Sequence, residues 1–486
     1  MNLLLIAIFW ALAIWAFSSR RPVLLYLFFA SMPFGAFAVV PPELTAGLTF
    51  TATPIVTVLI IIRAAFSRGG PAFFTNSAVR IERLGLLFLF WLLALLATIF
   101  MPRIFEGDIM VVPIRGVLSE TTALGPTPQN LSTMIYMSIS IFAVFAFAYI
   151  LRSRADRQTA LVALCFGATI TVLTGLVDYM TLFLPIEPLL EPLRTATYAL
   201  ATDVELLGSK RVVGLMPEAS TFGGLCLAFL SALVFFRRTF ESDRMRKVYV
   251  PIIIAALLIC CYISTSSGTY VGLGVLAVVV LAEAMIRAFS SGRTRHLYRQ
   301  DLLGELAIVG GLIALVGVLV IAFPHVTEPV YEMFDRMVLQ KTGSSSFEER
   351  GMWRTVAYES IFSSYGLGVG LGGTRASSSL VSIFSATGII GGVLFYSFVL
   401  LTLLRRSRHL DWEGQFIVVA VRCSFIPPFV MGLVVGGAEF GPLDAFSFGI
   451  VTAVVFSKSN RLAKQQAGGP LADPPTPRRL TQLPQA

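Results

Sequence analysis

The chain has 486 residues, of which 56% are hydrophobic and only 13% are charged. Soluble domains carry about 25% charged residues, so this composition excludes an ordinary soluble globular fold. The formal net charge of +9 would suit a nucleic-acid-binding protein, but the charge distribution described below excludes that class and predicts no nucleic-acid partner.

The hydrophobic residues form long blocks, such as residues 84–101 and 248–263. Backbone that faces lipid must be helical or belong to a closed barrel, and these blocks lack the alternation of barrel strands. A membrane-spanning helix needs about 20 apolar residues, so the sequence predicts an all-α, polytopic integral membrane protein with about 12–13 transmembrane helices.

The predicted spans follow one another along the whole chain. In chain order they are 3–18, 23–40, 50–66, 84–101, 133–151, 160–184, 219–236, 248–264, 269–287, 303–323, 380–404, 415–436 and 443–457. No basic segment precedes the first block, so we interpret it as a retained span rather than a signal peptide. Residues 1–457 form one transmembrane domain, and the proline-rich segment 458–486 is predicted to be a disordered cytoplasmic tail.

Lysine and arginine residues alternate between the two sides that these spans define. Of the 37 basic residues, 26 fall on one side, which identifies that side as cytoplasmic. The net charge is therefore a consequence of topology, and we expect a bacterial inner-membrane location. The longest loops, at about 102–132, 185–218 and 324–379, are predicted to be periplasmic.

The third long loop contains two arginines followed by a glycine-rich segment. Arg350 and Arg354 are four residues apart, so on a helix they share one face and can bind an anion between them. Backbone amides at Gly368 and Gly370 could add to such a site. The alternative is an amphipathic interface helix, anchored by Trp353, whose arginines contact lipid phosphates before a flexible turn.

The second long loop ends with Arg211, Pro217, Glu218 and Ser220 just before a span. Pro217 suits the first turn of a helix, which places Glu218 at the positive end of the helix dipole. Such a carboxylate can act as a general base or order sugar hydroxyls. The alternative is a capping carboxylate paired with Arg211.

Two short turns on the same side carry further candidate residues. Ser266 and Ser267 lie in the turn 264–268, where their hydroxyls can bind a ligand or simply cap helix ends. Glu439 lies in the turn 436–444 and can close a site or only solvate the turn. Metal-binding, redox, nucleotide-binding and serine-hydrolase motifs are missing from the sequence, so we predict no metal and no cofactor.

Three motifs occur in a fixed order on the predicted periplasmic side. They are Arg211-x-x-Gly214…Glu218-Ala-Ser220, the Ser-Thr-Ser-Ser-Gly turn at 264–268, and Arg350-x-x-Trp353…Gly366-x-Gly-x-Gly, which continues through Arg375 to Thr387-Gly388. Over residues 130–455 the chain resembles the O-antigen ligase and Wzy-type polysaccharide polymerase superfamily.

The resemblance implies a multi-span, GT-C-like glycosyltransferase that works without a metal. Its donor would be a glycan on undecaprenyl pyrophosphate, and its acceptor another lipid-linked repeat unit or, for a ligase, lipid A core. Arg211, Arg350 and Arg354 would hold the pyrophosphate, with Glu218 as the first candidate for the base. Ser220, Arg375 and Glu439 would contact substrate, and a chain-length regulator and a flippase are the expected pathway partners.

Ligases of this superfamily carry a His-Asn pair about eleven residues before the position of Gly388, where this chain has Ser377 and Ser378. This difference favours a polymerase over a ligase. A transporter or lipid flippase is the alternative from another class, but it should place ionisable groups near the membrane midplane. Here only Arg422 does so clearly, whereas Asp178 lies near the outer end of its span, where it can snorkel. A non-catalytic assembly subunit is the remaining alternative.

Overall fold

The fold consists almost entirely of α-helices. The structure is a computed structural model that describes residues 2–40, 49–115, 120–196, 200, 205–206, 209–289, 345–436 and 440–457. Numbered in chain order, the helices are α1 (Asn2–Ser18), α2 (Val23–Ser31), α3 (Ala52–Ala65), α4 (Gly70–Val79), α5 (Leu86–Ile104), α6 (Pro128–Ile150), α7 (Arg154–Met180), α8 (Ala219–Phe236), α9 (Val250–Ile263), α10 (Ser267–Phe289), α11 (Ser345–Ser363), α12 (Ser379–Leu403), α13 (Trp412–Val435) and α14 (Pro442–Val455).

Within these described ranges, eight helices are long and apolar enough to cross a membrane, namely α5 to α10, α12 and α13. The count rises to nine if α3 and α4, which meet at a bend of 100°, form one broken span. Apolar side chains also cover the outside of the bundle, as Leu89, Leu92 and Leu96 do along α5. The protein is therefore an all-α, polytopic membrane protein, as the composition predicts.

Several predicted spans differ in length from the observed helices. The helix predicted over 23–40 ends at Ser31, because Pro33 cannot continue it, and Ala36 instead donates a backbone hydrogen bond to Leu215 at 2.9 Å. α1 and α14 are short apolar helices of 17 and 14 residues. The predicted span 303–323 and the tail 458–486 lie outside the described residues, so about 12–13 spans stays a prediction.

Phenylalanine side chains fill the centre of the bundle. Phe28 of α2 contacts Phe147 of α6 edge to face, with ring centroids 5.0 Å apart. Phe29 of α2 contacts Phe446 of α14 in the same way, at 5.1 Å. Close helix approach requires small residues. At Gly167 of α7, an added Cβ would lie 2.5 Å from the Cβ of Phe29. Edge-to-face packing and close approach therefore hold α2, α6, α7 and α14 together.

The long loops lie together at one end of the bundle, which we call the loop end. β1 (Met110–Val111) pairs with β2 (Thr122–Ala123), and β3 (Glu205–Leu206) pairs with β4 (Ser209–Lys210). A small second core covers this end, formed by Phe105, Ile109, Val111, Leu124 and Val369. The segment 102–132 is thus partly folded rather than a simple connection.

The opposite end of the bundle carries the arginine-rich connections, and we call it the arginine end. Arg157 of α7 donates two hydrogen bonds, of 3.2 and 2.7 Å, to the fully buried carboxylate of Glu413 in α13. Arg422, predicted to lie within a span, donates from Nε to the carbonyl of Leu403 at the last turn of α12, at 2.8 Å. Arg422 thus provides a hydrogen-bond donor for a carbonyl group that has no partner within the last turn of the neighbouring helix.

α12 is a broken helix, although the sequence predicted one continuous span over 380–404. Gly388 has φ 73° and ψ −179°, which interrupts the helix. The carbonyls of Ser385 and Ala386 accept from Val369 N at 2.8 Å and Gly370 N at 3.0 Å. The glycine-rich loop, residues 366–373, thus supplies the hydrogen bonds that the break removes from the helix, as backbone inside a membrane requires.

Candidate functional site

The side chain of Arg211 is hydrogen-bonded to the short turn between α9 and α10. Its Nε donates to Thr265 Oγ1 at 3.1 Å, and one terminal nitrogen donates to the Thr265 carbonyl at 3.0 Å. Thr265 has φ 45°, a left-handed conformation that is uncommon outside glycine. The first and second sequence motifs are thereby joined at the loop end, because the turn 264–268 positions the arginine of the preceding motif.

Glu218 is the N-cap of α8, at the positive end of the helix as predicted, but Pro217 precedes the helix and does not lie in its first turn. Its backbone amide donates to Thr221 Oγ1 at 3.3 Å, and the hydroxyl of Ser220 donates to its carboxylate. The side chain of Glu218 is exposed. Ser220 therefore orients the carboxylate of Glu218 instead of standing apart as a separate ligand-binding group, and that carboxylate remains open to the surface.

Arg350 of α11 lies close enough to Arg211 to change its electrostatics. Burial is the main cause that lowers the pKa of Arg211, Glu218 opposes this effect, and the positive charge of Arg350 lowers the pKa further. The structure therefore brings together residues from the first and third sequence motifs. We call Arg211, Glu218 and Arg350 the outer arginine cluster.

Two buried residues position the segment that carries Arg211 and Glu218. Asp178, at the end of α7, is 2% exposed and accepts from the backbone amides of Val213 at 2.7 Å and Gly214 at 2.9 Å. Arg194 pairs with Asp178 at 2.7 Å and also donates to the Gly214 carbonyl at 3.0 Å. The sequence interpretation of Asp178 as a snorkelling carboxylate is wrong, because its oxygens bind the loop that approaches from outside.

Arg354 is exposed on α11, four residues after Arg350, and so shares a face with it. Trp353 is only 8% exposed, and the guanidinium of Arg375 lies 4.2 Å above its ring. The prediction of Trp353 as a membrane-interface anchor is therefore wrong, because the ring packs inside the protein beneath Arg375.

Ser377 fixes the backbone of α11 beside the outer arginine cluster. Its hydroxyl donates to the carbonyl of Arg350 at 2.7 Å. Both Ser377 and Ser378 are buried, at 6% and 7% exposure. Ser377 therefore holds the backbone of Arg350 in place, and neither of these two serines offers an imidazole to a ligand.

The glycine-rich loop does not form the predicted anion cradle at Gly368 and Gly370. The amide of Gly368 donates to Ser364 Oγ at 3.0 Å, and the amide of Gly370 donates to the broken helix α12. An added Cβ at Gly368 would lie 2.5 Å from the backbone nitrogen of Gly388. These glycines allow close backbone packing, and their amides are already used.

The structure gives less support to a ligand-binding role for the remaining predicted residues. Ser266 is 3% exposed, so little of it is available to a ligand, and Ser267 is the first residue of α10. Glu439 lies outside the described residues. Within the described ranges, no group of three or more histidine, cysteine, aspartate or glutamate side chains is arranged to hold a metal ion.

The comparison with models of known protein families gives no match, and neither does the comparison with curated protein sequences. The interpretation of the site therefore rests on its chemistry. Guanidinium groups can bind phosphate oxygens through charge-assisted hydrogen bonds, and an exposed carboxylate can accept a proton from a hydroxyl group.

Proposed function

We propose that the protein is a glycosyltransferase that polymerises undecaprenyl-pyrophosphate-linked repeat units at the periplasmic face of the inner membrane. The observation that carries this proposal is the outer arginine cluster, in which Arg211 is within electrostatic range of both the exposed carboxylate of Glu218 and the guanidinium of Arg350. The cluster stands at the end of apolar helices, where a lipid-linked pyrophosphate would present its head group.

The chemistry follows from the charges in the cluster. Pyrophosphate leaves the anomeric carbon readily once its growing negative charge is stabilised, and preorganised arginines provide that stabilisation. Glu218 removes the proton from the acceptor hydroxyl as the new glycosidic bond forms. Asp178 and Ser377 act on this site as positioning residues, because they hold the backbone on which Arg211, Glu218 and Arg350 stand.

A polymerase is favoured over a ligase because Ser377 and Ser378 are buried and carry no base. The two activities differ in product, since a polymerase leaves the chain on the lipid carrier and a ligase transfers it to lipid A core. Analysis of the lipid that carries the polymer distinguishes them.

A lipid or polysaccharide transporter is the second candidate, because the break in α12 is a feature that transporters share. In transporters, however, such breaks expose backbone groups to the substrate. Here Val369 and Gly370 already occupy the carbonyls at the break. The break in α12 therefore gives the transporter proposal little support.

The proposal is tested by replacing Arg350 and Arg354 with lysine, one at a time. Lysine keeps the charge but loses the two-pronged phosphate contact, so polymer synthesis should fall by roughly tenfold or more for each lost charge-assisted bond. Arg115→Lys, an exposed arginine at the loop end, is the matched control and should have no effect. Normal synthesis with lysine at 350 and 354 would mean that positive charge alone suffices, as for an interface helix.

A further inference from the structure

A basic cavity lies at the arginine end, on the opposite side of the bundle from the outer arginine cluster. Its volume is about 650 Å³, which is within the usual range for a ligand pocket. It opens where four chain segments meet: Arg20 follows α1, Arg63 lies in the last turn of α3, Arg152 follows α6, and Ser457 follows α14.

The lining of this cavity carries a strong excess of positive charge. Arg20, Arg63 and Arg152 line it, and Asp156 is the one acidic residue among the lining side chains. Asp156 lies in the first turn of α7, where its backbone amide donates to Ser153 Oγ at 3.1 Å. Three guanidinium groups facing one carboxylate leave a net positive site that suits an anion.

Two of the arginines are held in place by the protein. Arg152 donates from Nε to the Tyr149 carbonyl at 2.7 Å, and its guanidinium lies 4.0 Å above the Tyr149 ring. Arg63 donates to the Ala16 carbonyl at 3.4 Å. A guanidinium has five N–H donors, so these contacts leave further donors for a ligand. Fixed guanidiniums lose less side-chain entropy when they bind a phosphate.

Several of the other lining residues are apolar, which indicates an amphiphilic ligand. Leu24 and Leu25 of α2, Ile60 of α3 and Ile150 of α6 form this wall. Free phosphate gains no binding free energy from such an apolar surface. The glycerol and first acyl carbons of a lipid do gain it, because they are removed from water there. The chain beyond Ser457 carries five basic residues and one acidic residue, so its own tail has the wrong charge to fill the cavity.

We propose that this cavity binds the phosphate-bearing head group of an anionic membrane lipid. Basic pockets between transmembrane helices are a recurrent form of lipid recognition on the cytoplasmic side. The inference does not depend on the proposed glycosyltransferase activity, because none of the lining residues belongs to the outer arginine cluster.

The test measures retention of phosphatidylglycerol and phosphatidylcholine by the purified full-length protein, using native mass spectrometry during a lipid titration. Phosphatidylglycerol should bind preferentially. Replacing Arg63 and Arg152 together with glutamine should weaken its binding by at least about tenfold, since a charge-assisted hydrogen bond to phosphate is worth roughly that factor. Arg406→Gln combined with Arg408→Gln removes the same charge from exposed positions outside the cavity and should leave binding unchanged.

Two further measurements make the result decisive. Asp156→Asn should strengthen phosphatidylglycerol binding by about fivefold, because it removes the acidic residue from the lining; a variant that merely unfolds gives no such gain. Inorganic phosphate should not displace the lipid, and displacement would assign the site to free phosphate instead. Unchanged binding in the Arg63 and Arg152 double variant, or equal loss in the control pair, would overturn the proposal.

Discussion

Asp178 and Arg194 form an ion pair of 2.7 Å whose side chains are only 1% and 8% exposed. The second carboxylate oxygen of Asp178 accepts the backbone amides of Val213 and Gly214. The pair therefore connects the end of α7 to the segment that carries Arg211 and Glu218, and the geometry of the outer arginine cluster depends on it.

Asp178→Asn should strongly destabilise the protein. Removing one partner of a buried pair leaves the other charge uncompensated, which typically costs about 3–5 kcal/mol. Thermal unfolding of the purified protein in detergent measures the effect. Asp243→Asn is the matched control, because Asp243 is exposed and pairs with Arg246 and Lys247 at the surface. Its effect should stay within about 0.5 kcal/mol, and an equally small effect at Asp178 would show that the pair is dispensable.

Gly368→Ala should prevent the glycine-rich loop from packing against α12. Gly368 has φ +86°, and an added Cβ would lie 2.5 Å from Gly388 N and 2.8 Å from the Ala386 carbonyl oxygen. Expression level and thermal stability should both fall. Gly351→Ala is the control, because an added Cβ there meets nothing within 4 Å. In the interior of α11 it should stabilise the helix by about 0.5–1 kcal/mol.

Glu218→Gln tests the role of the carboxylate in the outer arginine cluster. Glutamine keeps the size of the side chain and still accepts from Ser220, so an N-cap role should survive. A general base contributes typically 10²–10⁴-fold, so polymer synthesis should fall by roughly that factor while membrane insertion stays normal. Glu191→Gln, an exposed glutamate in the same loop, should be active. Normal polymer from Glu218→Gln would reduce Glu218 to a helix cap.

The buried pair at the arginine end predicts a non-additive double mutant. Glu413→Leu alone leaves Arg157 buried and unpaired and should cost about 3–5 kcal/mol. Combining it with Arg157→Met removes both charges, so the double variant should be more stable than Glu413→Leu alone. Thermal unfolding of the two single variants and the double variant measures the coupling. Simple additivity would mean that the two charges do not interact.

The sequence predicts the helices well where their signal is long and local. An apolar run of some twenty residues determines a helix in lipid regardless of its neighbours, so α5 to α10 and α13 agree with the predicted spans. The break at Gly388 was missed because hydropathy does not register a single glycine. The break is tolerated because Val369 and Gly370, which come from another segment, donate to the carbonyls of Ser385 and Ala386.

The candidate site was predicted in part for a similar reason. Charge and motif order single out Arg211, Glu218 and Arg350, and in the structure Arg211 is within electrostatic range of the other two. Their supports could not be found in this way, because the contacts of Asp178 with Val213 and Gly214 join residues far apart in the chain. The glycine spacing suggested an anion cradle, but only the structure shows which acceptors the amides already have.

The hydrogen-bonded contact between the glycine-rich loop and the break in α12 also affects how the protein folds during synthesis. Its two sides, Gly366 to Gly370 and Ser385 to Ile389, are separated by only about twenty residues, so closing the loop between them costs little entropy and can occur early. The loop precedes α12 in the chain and leaves the ribosome first. The interrupted helix therefore enters the bilayer with the partner for its exposed carbonyls already synthesised.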